Sequence, residues 1–175
     1  MTVDQYLNGE ETNRRRELLF GVVRQPPSPF PYHQRAITRL TALLEAHTAQ
    51  TSCGDVYVSP IDVILDEARG LVLQPDIIVI TAGNRSIVTD RVRGAPDLVV
   101  EVLSGSSRRH DSTVKRHWYR HYGIREYWLL EPNDHSLEVV ACASDTSARY
   151  TSRQHLRSEV PPDFTPVVGE LFGSR

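Results

Sequence analysis

Two carboxylates stand in this sequence where apolar burial should forbid them. Asp76 precedes Ile77, Ile78, Val79 and Ile80, and Glu101 is flanked by Val99, Val100, Val102 and Leu103. The stretches that carry them, QPDIIVI (74–80) and APDLVVEVLS (95–104), each read as a short strand covered on both faces. The loop between them is polar and holds Gly83, Asn84 and Gly94, which lets the two strands lie side by side. Side chains alternate across a strand, so Glu101 shares a face with Val99 and Leu103 while Val100 and Val102 take the other. An unpaired buried carboxylate is too costly to persist; it must be protonated, paired with a cation or bound to a metal. Two acids converging from neighbouring strands form a site for a hard divalent cation such as Mg2+. The competing reading puts both at strand ends, where water or an arginine satisfies them.

A second group lies just downstream. Between Ser106 and Arg125 the cations Arg108, Arg109, Lys115, Arg116, Arg120 and Arg125 face Asp111 alone, in a chain whose net charge is −2. An acidic, metal-attracting notch edged by cations suits a phosphodiester substrate, because the metal needs carboxylates and the polyanion needs Arg and Lys. The same run also reads as a solvated basic face. Lys115 and Tyr119 are four residues apart and share one helical face, as do Trp118 and Tyr122. Other constellations are weaker. His117 and His121 have ligand-like spacing but no third ligand in a known pattern, and Ser104, Ser106 and Ser107 lack the strand–turn–helix setting of a nucleophilic serine.

The elements that must position these groups follow from periodicity and turn chemistry. Residues 3–8 suit a short amphipathic helix, and RRRELLFGVVRQ (14–25) a strand or hairpin bent at Gly21. After the rigid PPSPFP loop, residues 32–50 form the clearest helix, with Ile37, Leu40, Leu43 or Leu44, and His47 as its inner stripe. VYVSPIDVILD (56–66) is strand-like but broken by Pro60, and EARG turns into the first acid-bearing strand. Asp111 or Ser112 caps a helix from about residue 113 to Tyr122, and Gly123 ends it. REYWLLEP is a strand whose hairpin partner is SLEVVACA (136–143), followed by a further strand near Arg149–Leu156 and a proline-rich tail. Trp118, Tyr122, Tyr127 and Trp128 read as core aromatics. With 175 residues, no internal repeat and no linker, the chain is expected to form one domain, 1–175. No run approaches a membrane span, and MTVDQYLNGEETNRRR has no apolar signal core, so a cytoplasmic location is expected. Cys53 and Cys142 form neither a disulfide framework nor a metal-ligand spacing. Near-neutral overall charge argues against a protein that coats nucleic acid, yet leaves room for a local basic groove.

The ordered series QPD, APDLVVEVLS, Asp111…Lys115…Tyr119…Gly123 and EYWLLEP resembles the Uma-type family, described as restriction endonucleases, of the PD-(D/E)XK nuclease superfamily. The resemblance covers nearly the whole chain: RELLFG is similar to the family's "ELIDG" segment, PYHQ to its "P-x-H" helix entry, and DFTP-x-x-x-x-LF to its tail. It implies an α/β fold, restriction-endonuclease-like, in which a mixed β-sheet is flanked by helices, here with an antiparallel hairpin extension. It also implies Mg2+-dependent hydrolysis of DNA, with Mn2+ as a possible substitute, and a homodimer is the expected assembly. Asp76 matches the metal-binding aspartate and Glu101 the acid of the (D/E)-x-K element. Leu103 stands where the usual lysine would be; in this family the lysine comes from the following helix, which here gives Lys115. Glu17 matches the N-terminal acid and would reach the metal through water, with a backbone carbonyl near Val102 as a further ligand. Arg108, Arg109, Arg116 and Arg120 are the expected nucleic-acid contacts. Phe20 replaces an acid of "ELIDG", SGSS replaces the usual "SPST", and His33 matches a family histidine to which the sequence assigns no role. The rival reading is a nuclease-fold module that binds nucleic acid or a protein partner without cutting. The set Asp76, Glu101 and Lys115 favours the enzyme, and Phe20 favours the module.

The arginine assignment has a direct consequence. Replacing Arg108 and Arg109 together by alanine should weaken DNA affinity and flatten its salt dependence, each lost phosphate contact removing about 0.9 from the slope of log K against log salt. An unchanged slope in a fluorescence-anisotropy titration would mark them as solvated surface.

Overall fold

The computed structural model describes residues 1–9, 14–104 and 110–172. Its strands fall into two mixed sheets. The first contains β1 (Glu17–Leu19), β2 (Val22–Arg24), β4 (Val63–Asp66), β5 (Leu71–Leu73) and β7 (Val92–Arg93), in the order β2-β1-β5-β4-β7. The second contains β3 (Gly54–Val58), β6 (Ile77–Thr81), β8 (Leu98–Val102), β9 (Glu126–Glu131), β10 (Ser136–Ala141) and β11 (Thr146–Thr151), in the order β11-β10-β9-β8-β6-β3. The two acid-bearing strands are neighbours: β6 pairs antiparallel with β8, with Ile78 opposite Val99. β8 pairs in parallel with β9, and β9, β10 and β11 then form the antiparallel extension.

The central strands of the second sheet, β6, β8 and β9, are buried on both faces, which explains why they read as nearly unbroken apolar runs. Ile77, Val79, Val100, Val102, Trp128 and Leu130 face one core, where Ala36, Leu40 and Leu44 of helix α2 (Pro31–Thr51) cover them. Ile78, Ile80, Val99, Leu103, Tyr127 and Leu129 face the other, against Val63, Leu71, Leu73 and Val92 of the first sheet. Tyr119 of helix α3 (Arg116–His121) joins this second core. On its far side the first sheet buries Leu18, Ile64 and Val72 against Val3 and Tyr6 of helix α1 (Val3–Leu7). The order of layers is therefore α2, second sheet, first sheet, α1. Glu101 shares the face of Val99 and Leu103, so its carboxylate points into the seam between the sheets.

Four expectations are revised. The acid-bearing strand β6 is Ile77–Thr81 rather than 74–80, and Gln74, Pro75 and Asp76 cross to it from Leu71–Leu73 of the first sheet. The run 56–66 breaks at Pro60 as expected, but its two halves lie in different sheets, so there are two sheets rather than one. The buried stripe of α2 is His33, Ala36, Leu40, Leu44 and Thr48, with Ile37 and Leu43 only flanking it. Small Ala36 lets the helix approach the sheet, and the four-residue spacing brings His33 to the sheet's edge. The strand expected near Arg149–Leu156 begins earlier, at Thr146, because it pairs with all of β10.

This helix face can be tested by two alanine substitutions. Leu44→Ala, at a fully buried position, should lower unfolding free energy by about 2–5 kcal/mol. Glu45→Ala, one residue on and exposed, should stay within about 0.5 kcal/mol in the same urea titration.

Candidate active site

The crossover between the sheets creates the site. Pro75 has no amide to donate and disfavours helical backbone before it, so Gln74–Pro75–Asp76 leaves one ladder and enters the next. Asp76 arrives at the seam just before β6, 1% exposed. Its Oδ2 accepts the Val102 amide at 2.7 Å and lies 3.3 Å from His33 Nε2. Burial raises the carboxyl's pKa, but the His33 hydrogen bond, the Arg15 charge and the Val102 amide outweigh it and hold the value at about 2.

Glu101 reaches the same seam from β8. Its Oε1 accepts Lys115 Nζ at 2.7 Å and the Tyr119 hydroxyl at 3.0 Å. Lys115 ends a π-helical stretch (His110–Lys115) that runs directly into α3, and its ammonium is 2% exposed. The same ammonium lies 2.7 Å from Glu17 Oε1 on β1. Glu17 also accepts the Gln74 amide at 3.3 Å and pairs with Arg24 at 3.4 Å. Burial favours a neutral Glu17, yet the adjacent Lys115 holds its pKa below the usual carboxylate range. Burial and the neighbouring Glu101 raise the Tyr119 pKa well above that of a free phenol, so its hydroxyl remains a donor.

Between the two acids sits Arg15, from the segment that leads into β1. Its Nη1 is 2.6 Å from Asp76 Oδ1, its Nη2 is 3.4 Å from Glu101 Oε2, and Nη2 also donates to the Gln74 carbonyl. Each acid thus presents two different oxygens. Asp76 Oδ2 and Glu101 Oε1 are fixed by protein donors; Asp76 Oδ1 and Glu101 Oε2 turn, with the Gln74 carbonyl, toward one positive head. Among the described residues no cluster of three or more Asp, Glu, His and Cys side chains forms a metal cage. Two carboxylates and a carbonyl are nevertheless a hard-oxygen set of the kind Mg2+ uses, with water and substrate filling its other positions.

The structure brings together Asp76, Glu101, Lys115 and Glu17, four of the residues singled out from sequence. Glu17 meets the ammonium of Lys115, and it is the Val102 amide that reaches Asp76. Arg116 pairs with Glu138 and Asp145 at 3.3 and 3.1 Å, and Arg120 with Asp145 at 2.7 Å. Arg108 and Arg109 lie outside the described residues. Phe20 occupies the turn of the β1–β2 hairpin with φ 51°, and its ring packs edge-on against Trp118, centroids 5.4 Å apart. Sequence reasoning missed Arg15 and Gln74. The only signal for Arg15 was the Arg14–Arg16 run beside Glu17, which reads equally as polar surface.

A family model, Uma2, described as "Putative restriction endonuclease", matches residues 3–171. The chain belongs to this family. Among solved structures it is similar to "a putative nuclease belonging to DUF820 from Anabaena variabilis ATCC 29413". That likeness has a TM-score of 0.83 at 16% identity and covers 98% of this chain and 97% of the other, so it establishes the shared fold. No curated protein matches. The Uma2 assignment agrees with the two mixed sheets and flanking helices, and no helix among the described residues is long and apolar enough to cross a membrane.

The depressed pKa of Asp76 has a signed consequence. A carboxyl whose folded pKa lies below its unfolded value stabilises the fold fully above the unfolded value, and that contribution disappears as pH falls through the folded one. Stability should therefore drop between the ordinary value of 3.8 and about 2. In urea titrations across that window, Asp76→Asn should show a shallower decline than the parent, the remaining slope coming partly from Glu17.

Proposed function

We propose that this Uma2 protein is a divalent-metal-dependent endonuclease that hydrolyses DNA phosphodiester bonds. The observation that carries the reading is the division of labour within each acid. One oxygen of Asp76 and one of Glu101 are held by Val102, His33, Lys115 and Tyr119, while the other two face a single cationic position beside the Gln74 carbonyl. Asp76 and Glu101, with that carbonyl, would hold Mg2+ or Mn2+. Bound there, such an ion would supply neutralising charge at the phosphate and a more acidic water as nucleophile.

The chain's own residues do the rest. Lys115, one carboxylate away from the cation position, orients the attacking water and stabilises negative charge developing on the phosphate. Glu17 acts through Lys115: together with Glu101 it keeps the ammonium charged in a buried place. Tyr119 fixes Glu101 Oε1, so that Oε2 stays turned to the cation. Arg108 and Arg109, with Arg116 and Arg120, serve the DNA backbone. The latter two can exchange their partly exposed partners, pairs worth about 0–1 kcal/mol, for phosphates. One observation favours the second reading, a module that binds without cutting: Arg15 already neutralises both acids.

Nicking of supercoiled plasmid with Mg2+ or Mn2+, set against EDTA, decides between them. The parent should nick only with metal. Glu101→Gln should abolish nicking and lower stability by up to about 3–5 kcal/mol, because it takes one carboxylate from the buried Lys115 and Arg15 while leaving them Glu17 and Asp76. Lys115→Ala and Lys115→Arg should each slow turnover by about 100-fold or more with little change in DNA or metal affinity. Full activity in a well-folded Glu101→Gln protein would sink the assignment.

A further inference from the structure

Of the two cations that contact Glu101, Arg15 is the more exposed. Lys115 is sealed between Glu17 and Glu101, whereas the Arg15 side chain is 24% exposed and comes from residues outside any helix or strand. Its Nε is buried without a hydrogen-bond partner among the described residues, so the in-place conformation is incompletely satisfied. The backbone beside it is anchored. The Arg16 amide donates to Gln74 Oε1 at 3.2 Å, Arg16 Nη2 donates to the Tyr6 carbonyl at 2.9 Å, and the Arg16 guanidinium lies 4.6 Å over the Tyr6 ring. The Arg15 side chain can therefore swing outward while its backbone stays put.

We propose that Arg15 occupies the metal position of the resting protein and that a divalent cation binds by displacing it. The inference rests on the reading of Asp76 and Glu101 as metal ligands. A guanidinium and a metal ion cannot both occupy the point where Asp76 Oδ1, Glu101 Oε2 and the Gln74 carbonyl converge, and each neutralises the same two acids. Both the resting and the metal-bound states pair the two acids with a cation, which allows the seam to stay closed without metal. It also makes apparent metal affinity equal to the intrinsic affinity reduced by the fraction of molecules with Arg15 displaced. Once out, the guanidinium stands at the mouth of the site with its planar donors free for an incoming phosphate.

Mn2+ titration calorimetry on the parent, Arg15→Ala, Arg15→Gln and Asp76→Asn tests this, with thermal unfolding of each protein with and without Mn2+ alongside. With Arg15 displaced in about a tenth of molecules or fewer, Arg15→Ala and Arg15→Gln should bind Mn2+ about tenfold more tightly or better. Both should melt lower than the parent without metal and recover more on its addition, and Asp76→Asn should lose binding. The glutamine variant keeps a neutral donor for the Gln74 carbonyl should the alanine variant fold poorly. If Asp76→Asn loses Mn2+ while both Arg15 variants bind it no more tightly than the parent, the displacement idea fails and the metal site stands. If neither the parent nor any Arg15 variant binds Mn2+, both the displacement and the metal reading fail.

Discussion

Three carboxylates without access to water set the terms for this fold. Glu17, Asp76 and Glu101 come from three separate stretches, and each is at most 2% exposed. A charge in such a place survives only with a partner held at short range, and removing one partner of a buried pair typically costs about 3–5 kcal/mol. The answer here is a pair of cations a hundred residues apart, Arg15 before the first strand and Lys115 at the start of α3. The crossover at Gln74–Pro75–Asp76, the register of β6 on β8 and the passage from π-helical stretch to α3 all serve that pairing.

The surroundings explain how such charge can be concentrated. The seam lies between two sheets whose other contacts are aliphatic and aromatic, so rigid packing surrounds a small polar group. Hydrogen bonds from Val102, Tyr119 and Gln74 then fix individual oxygens rather than whole carboxylates. That selectivity gives the site a direction: one side of each acid belongs to the protein, the other to whatever cation stands opposite.

Much of this was legible in the sequence, for physical reasons. Glu101 was visible because an acid inside a strand buried on both faces contradicts its neighbours; Lys115 came through the family resemblance, which takes the lysine from the following helix where Leu103 stands in the strand. The two-sheet architecture was less legible. Leu71–Leu73 and Ile77–Thr81 are both apolar, and nothing in their composition says that the proline between them marks a change of ladder. The stripe of α2 was misplaced because Ala36 and Thr48 are weaker apolar signals than Ile37 and Leu43, although they allow closer approach. Arg15 was hidden because a long, flexible side chain carries no periodic signature. His33 was noticed only through resemblance, and its place beside Asp76 emerges only once α2 is docked.

The parallel pairing of β8 with β9 places the intervening helix, and hence Lys115, between two strands that must meet. During synthesis the chain emerges in order, so Glu17 precedes its ammonium partner by nearly a hundred residues and Glu101 by fourteen. At roughly 5–20 residues per second, Glu17 waits about 5–20 s and Glu101 about 1–3 s. Through that interval cations already made stand in: Arg24 lies 3.4 Å from Glu17 and Arg15 3.4 Å from Glu101, so the N-terminal part of the chain carries its own partners for both acids before Lys115 completes the seam.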